Sequence, residues 1–142
     1  MTGRVGLATI DTNVAVYALL RQAKAETAAA ALGASGFLSV QVLNEYANVA
    51  SRKLRRNWLE IDGDLAALRD AVPMILPIDD RTNAEGSRIA ERYRLSFYDA
   101  LMLAAALIGG AQTCYSEDLQ DKLVIDGVLR VIDPFRSGAM LQ

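Results

Sequence analysis

The stretch LATIDTNVAVYAL, residues 7 to 19, decides the fold. It opens as an apolar run ending at Ile10, turns polar at Asp11, Thr12 and Asn13, and becomes apolar again at once. A short apolar run without alternation is the pattern of a strand buried on both faces. Residues 4–10 therefore predict a first strand. Residues 13–22 predict a helix, with Val14, Ala18 and Leu19 near one face. The polar triplet falls between them, so Asp11 stands at the carboxyl end of the strand.

The same alternation continues along the chain. Strands are predicted at 36–40, 74–78, 111–116 and 129–135. Helices are predicted at 23–33, ending at Gly33, and from about Val40 to Arg55, with Ser39 as N-cap. Further helices are predicted from Leu59 to Val72 before Pro73, over 81–94, and over 96–110, ending at two glycines. In the 81–94 helix Ala84, Ile89 and Tyr93 read as the inner side. Apolar strands alternating with helices predict a three-layer α/β/α fold around a central, mostly parallel, five-stranded sheet. With 142 residues and no linker or repeat, one domain over 1–142 is expected.

Composition removes whole classes of chemistry. The chain has no histidine, so an imidazole base, a Ser-His pair and a His-ligated metal are all excluded. Its one cysteine, Cys114, lies in an apolar run and reads as a buried small hydrophobe. The net charge of −2 gives no global basic field. No basic leader precedes a long apolar segment, and the longest apolar stretch, 100–108, is far short of the about 20 residues of a membrane span. A cytoplasmic protein without membrane association is the expectation. Acid–base or metal chemistry must come from carboxylates.

Four of these stand out. Open parallel sheets bind ligands outside the carboxyl ends of their strands. Asp11 ends the first strand, and Asp118, in CYSEDLQD (114–121), follows the fourth. Glu45 shares a helical face with Val42, Tyr46 and Val49 and is expected on the apolar side. Asp99 lies in the most apolar helix, although SFYD (96–99) also reads as a capping box. Two carboxylates about 5 Å apart repel by roughly 3 kcal/mol at an effective dielectric of about 20. A converging set must therefore take up protons or a cation. Oxygen-only ligands favour a hard ion, Mg²⁺ or Mn²⁺, which suits phosphodiester hydrolysis by an activated water.

The segments IDTNVAVYAL (10–19), NEY (44–46), SFYDALMLAAAL (96–107) and CYSEDLQD together resemble PIN-domain ribonucleases, most closely VapC-type toxins of toxin–antitoxin pairs. The resemblance runs from about residue 7 to 135. It implies that Asp11, Glu45, Asp99 and Asp118 form an acidic quartet binding Mg²⁺ or Mn²⁺ for cleavage of single-stranded RNA. It gives Thr12, Asn13 and Ser116 supporting places, with Asp121 an alternative fourth acid. It also implies a homodimer and a VapB-like antitoxin partner that covers or distorts the acidic site. SRKLRRNW (51–58) offers Arg52, Lys53, Arg55 and Arg56 to RNA phosphates or to the antitoxin. Trp58 reads as packing at a helix junction rather than as a base-stacking residue.

Other readings remain. A dehalogenase-type phosphatase needs a second Asp where Asn13 stands, and a receiver domain needs a lysine after a late strand that this chain lacks. A stand-alone PIN nuclease in RNA processing and a non-catalytic PIN-like binding module stay open as alternatives.

Overall fold

The computed structural model describes residues 6–20, 23–136 and 138–141. Parts of the first predicted strand and helix, residues 4–5 and 21–22, lie outside these. The chain begins with β1 (Ala8–Ile10), α1 (Thr12–Leu20), α2 (Ala25–Gly33), β2 (Leu38–Ser39), α3 (Val40–Arg52) and α4 (Trp58–Ala71). It continues with β3 (Ile75–Leu76), α5 (Asp80–Tyr93), α6 (Phe97–Ile108), β4 (Thr113–Tyr115), β5 (Val124–Ile125) and β6 (Leu129–Ile132), then a 3₁₀ turn at Ala139–Leu141.

The three-layer reading holds, and the sheet differs from the five strands predicted. β1-β4-β6-β5 form one ladder and β2-β3 a second. All pairs are parallel except β5 with β6. The two ladders are tied where Gly36 donates its backbone N–H to the Ala8 carbonyl (2.8 Å) and Thr9 donates its hydroxyl to the Phe37 carbonyl (2.7 Å). The strand absent from the sequence reading is β5, two residues long. It forms a hairpin with β6 around Asp126 and Gly127, both at positive φ (54° and 71°). An Asp-Gly pair tolerates that backbone.

Apolar residues cover both faces. On one, Ile10 and Leu38 pack with Val14, Val42, Tyr46 and Leu68 from α1, α3 and α4. On the other, Cys114, Leu129 and Val131 pack with Ile89, Leu103 and Ala104 from α5 and α6. Cys114 is fully buried, and burial pushes its thiol pKa up, so it serves as core. Side chains recognised in the sequence start the helices. Ser39 accepts the Gln41 N–H (3.1 Å), and Ser96 accepts that of Asp99 (3.4 Å).

Several local expectations are corrected. The α3 helix stops at Arg52 rather than Arg55, and Arg55 takes a left-handed φ of 53°. The last strand stops at Ile132, since Pro134 has no N–H to extend a ladder. Ala84 is exposed. The inner stripe of α5 is Thr82, Gly86 and Ile89, and a side-chain carbon at Gly86 would sit 3.3 Å from the Leu101 Cα of α6. Trp58 does not pack at a helix junction. It is 62% exposed at the start of α4.

Candidate active site

Sheet register builds the site. Ile10 pairs with Tyr115, and the next N–H, of Asp11, donates to the Tyr115 carbonyl (2.8 Å). The Ser116 N–H donates to the Ile132 carbonyl (3.0 Å). Asp11 and Ser116 thus leave adjacent parallel strands side by side, at the crevice where such sheets take ligands. The Ser116 hydroxyl donates to Asp11 Oδ2 (2.8 Å), and the Thr12 N–H donates to Oδ1 (2.8 Å).

Asn13 ties the two strand ends further. Its Nδ2 lies 3.2 Å from Asp11 Oδ2 and 3.3 Å from Asp118 Oδ2, and its Oδ1 accepts the Glu117 N–H (3.1 Å). Thr12 reaches the other way, donating its hydroxyl to Glu45 Oε2 (2.9 Å), while Gln41 Nε2 donates to Oε1 (3.1 Å). One strand-end triplet therefore contains one of the four acids and contacts two others, Glu45 and Asp118.

Asp11 is buried, and its pKa is raised to about 6. Burial is the largest cause. The Ser116 and Thr12 hydrogen bonds pull it down, and the charges of Glu45 and Asp118 push it up. Desolvation, more than the expected repulsion between carboxylates, raises it.

All four acids line one open cleft of about 710 Å³. Their settings differ from expectation for two. Glu45 is half-buried, on the border between buried Val42 and Tyr46 and exposed Asn44 and Asn48, rather than on the apolar side. Asp99 is exposed, in the first turn of α6. Only half of its capping box forms, and no group donates to its carboxylate among the described residues. Asp121 does not line the cleft. It accepts the Asp133 N–H (2.8 Å) and pairs with Arg136 (3.2 Å), which makes it a loop fastener.

The basic stretch divides. Lys53 lines the cleft, and Arg52 and Arg55 are exposed. Arg56 is not available to a phosphate. It donates through Nε and Nη2 to the two oxygens of Asp64 (2.6 and 2.7 Å), and the buried Tyr46 hydroxyl donates to the same group (2.6 Å). Burial works to raise the Asp64 pKa, but the Arg56 and Tyr46 bonds outweigh it and hold it below the usual range. Asp64→Ala leaves a buried hydroxyl and a guanidinium without their acceptor. It is expected to lower stability by about 2–3 kcal/mol, read as a fall in the urea midpoint at unchanged slope.

Some lining residues were not singled out in the sequence. Glu117 is held by Tyr17 (2.6 Å) and by an ion pair with Lys24, which together lower its pKa, Lys24 contributing most. Gln41, Asn44 and Asn48 form a polar edge of α3, and Tyr98 lies beside Asp99. The spacing of the α3 residues was a readable signal, since positions three, four and seven apart share a helix face.

Charge and donor type suit a hard cation, since every titratable acid in the cleft offers oxygen only. Among the described residues no three acidic side chains stand within common reach of one ion. Among them, too, no helix is long and apolar enough to cross a membrane.

Comparison with known proteins finds the same fold elsewhere. The solved structures similar to this chain include a toxin–antitoxin complex from Klebsiella pneumoniae, at 21% identity and a TM-score of 0.67, covering 90% of this chain and 98% of that one. Another is Mycobacterium tuberculosis VapC20, described as a sarcin–ricin loop cleaving toxin, at 23% identity and a TM-score of 0.60 over 78% and 89% of the two chains. A third is VapBC2 from Rickettsia felis bound to a promoter DNA fragment, at 16% identity and a TM-score of 0.64 over 88% and 96%. No curated protein matches the sequence. The family model described as PIN domain matches residues 8–120. That span carries Asp11, Glu45, Asp99 and Asp118 together with the strands that present the first and last of them, and the chain belongs to the PIN-domain family.

Proposed function

We propose that this protein is a metal-dependent endoribonuclease acting as the toxin of a VapBC-like pair. The observation that carries the reading is Asp11, a buried carboxylate at a strand end, with a pKa near 6 and three further acids lining its cleft. A core position that only needed a helix cap is served by a neutral Ser, Thr or Asn. A carboxyl that titrates just below neutral pH suits a group that exchanges a proton for a cation.

Asp11, Glu45, Asp99 and Asp118 line one cleft, and their side chains would have to close together to hold Mg²⁺ or Mn²⁺. When bound, the ion supplies Lewis acidity toward a phosphodiester and lowers the pKa of water. The chain's own groups do the positioning. Ser116 and the Thr12 N–H fix the Asp11 carboxylate, Asn13 couples it to Asp118, and Thr12 with Gln41 fixes Glu45.

Lys53, with Arg52 and Arg55, supplies positive charge for RNA phosphates. Neutralising these three, with Arg56 left intact, is expected to weaken RNA binding and reduce the slope of log affinity against log salt by about 2. Fluorescence anisotropy over a salt series checks this. An unchanged slope returns the patch to a solvated helix end.

The toxin assignment and a VapB-like antitoxin are supported by toxin–antitoxin complexes among the structures of the same fold. A homodimer and a cytoplasmic setting belong to the same reading. Induction of the protein should arrest growth and create new RNA ends across the transcriptome, and Asp11→Asn should do neither. Growth arrest relieved by the product of an adjacent gene separates a toxin from a stand-alone RNA-processing nuclease.

A further inference from the structure

Two features of the cleft are not used by the acids. Tyr98 lines it and is 64% exposed, an unusual setting for a large aromatic next to a site. The Phe97 ring meets it edge-on, 5.7 Å between centroids. From α3, Asn44 and Asn48 line the same cleft, four residues apart and so on one helix face. Both are exposed, and among the described residues no group bonds to either side-chain amide, in contrast to Gln41 and Glu45 beside them.

An exposed ring offers a face on which any unpaired base can stack. A free side-chain amide carries both donors and an acceptor, the combination that pairs with base edges. A duplex offers neither, because its bases are stacked and their Watson–Crick edges are taken. The cleft volume of about 710 Å³ is that of a small-ligand site rather than of a groove for a double helix. Lys53 adds a charge suited to a neighbouring phosphate.

From this arrangement we infer that Tyr98, Asn44 and Asn48 form a base-holding wall that grips an unpaired nucleobase beside the cleaved phosphate and sets which RNA sequence is cut. The inference rests on the nuclease reading above. Tyr98 contributes affinity by stacking, and the two asparagines contribute base preference.

The test has two arms. In an Asp11→Asn background, which spares the probe, binding of a short fluorescein-labelled RNA of random sequence is followed by anisotropy. Tyr98→Ala should weaken binding about tenfold, and Tyr98→Phe should keep it. A duplex RNA of equal length should bind the two variants alike. In the protein with Asp11 intact, cut sites in a random single-stranded RNA pool are sequenced. Asn44→Ala with Asn48→Ala should flatten base preference next to the cut. Tyr98→Ala binding as tightly as its parent, or an unchanged cut-site sequence in the asparagine variant, overturns the inference and leaves the nuclease reading standing. If the native protein neither binds nor cuts these RNAs, the nuclease reading falls and takes the base-holding wall with it.

Discussion

Asp11→Asn should reduce RNA cleavage by more than about a hundredfold, beyond the loss expected when only an outer contact to a metal ligand is removed. The amide keeps the shape, its Oδ1 can accept the Thr12 N–H, and the Ser116 hydroxyl can turn to accept from its Nδ2, so the fold should survive. Stability should rise. A carboxyl raised from 3.8 to about 6 by folding opposes the native state by about 3 kcal/mol once ionised. The sign follows from proton uptake. Between the two values the folded chain binds more protons than the unfolded one, so stability falls as pH rises from about 4 to about 6 and stays low above that. Asn at this position removes the effect. Its melting temperature should exceed that of the native protein by several degrees at pH 7.5 and match it at pH 4. Loss of activity together with gained stability marks a functional carboxylate, since Asn serves a mere helix cap as well as Asp and would leave activity unchanged.

The second large effect is that of the cation itself. Mg²⁺ or Mn²⁺ at about a hundred times its dissociation constant adds about 2.7 kcal/mol to the folded state, or about 8–10 °C in melting temperature for a chain of this size. The gain should shrink at pH 5, where the proton on Asp11 competes with the ion. It should shrink again in Asp11→Asn. Thermal scans across metal concentration at pH 7.5 and pH 5 measure both. A melting temperature indifferent to either ion would mean that the carboxylates do not act together, and the exposed Asp99 would then read as an ordinary surface acid.

The frame of the site was legible because strand ends are written locally. An apolar run broken by Asp-Thr-Asn and another broken by Ser-Glu-Asp give two sheet edges, and the parallel pairing of β1 with β4 brings them together. Ser39 and Ser96 were legible for the same reason, since caps act over three residues. What was not legible depends on packing between distant segments. Periodicity placed Glu45 on an apolar face, but Thr12 and Gln41 hold it on the border of that face. Asp99 sits in an apolar sequence, yet its position in the first turn points it to solvent. Arg56 looked like its basic neighbours until Asp64 and Tyr46 claimed it. The hairpin strand β5 is too short to show an apolar run, although Asp126-Gly127 was its signal.

The account stands on the claim that the cleft around Asp11 cleaves RNA with a divalent cation held by acids alone. The most direct measurement is incubation of purified protein with total RNA, with Mg²⁺ or Mn²⁺ and with a chelator, followed by sequencing of new RNA ends. The account predicts discrete new ends with either metal, none with the chelator, and none with Asp11→Asn. Ends that persist in the chelator, or that Asp11→Asn produces as readily as the native chain, would contradict it.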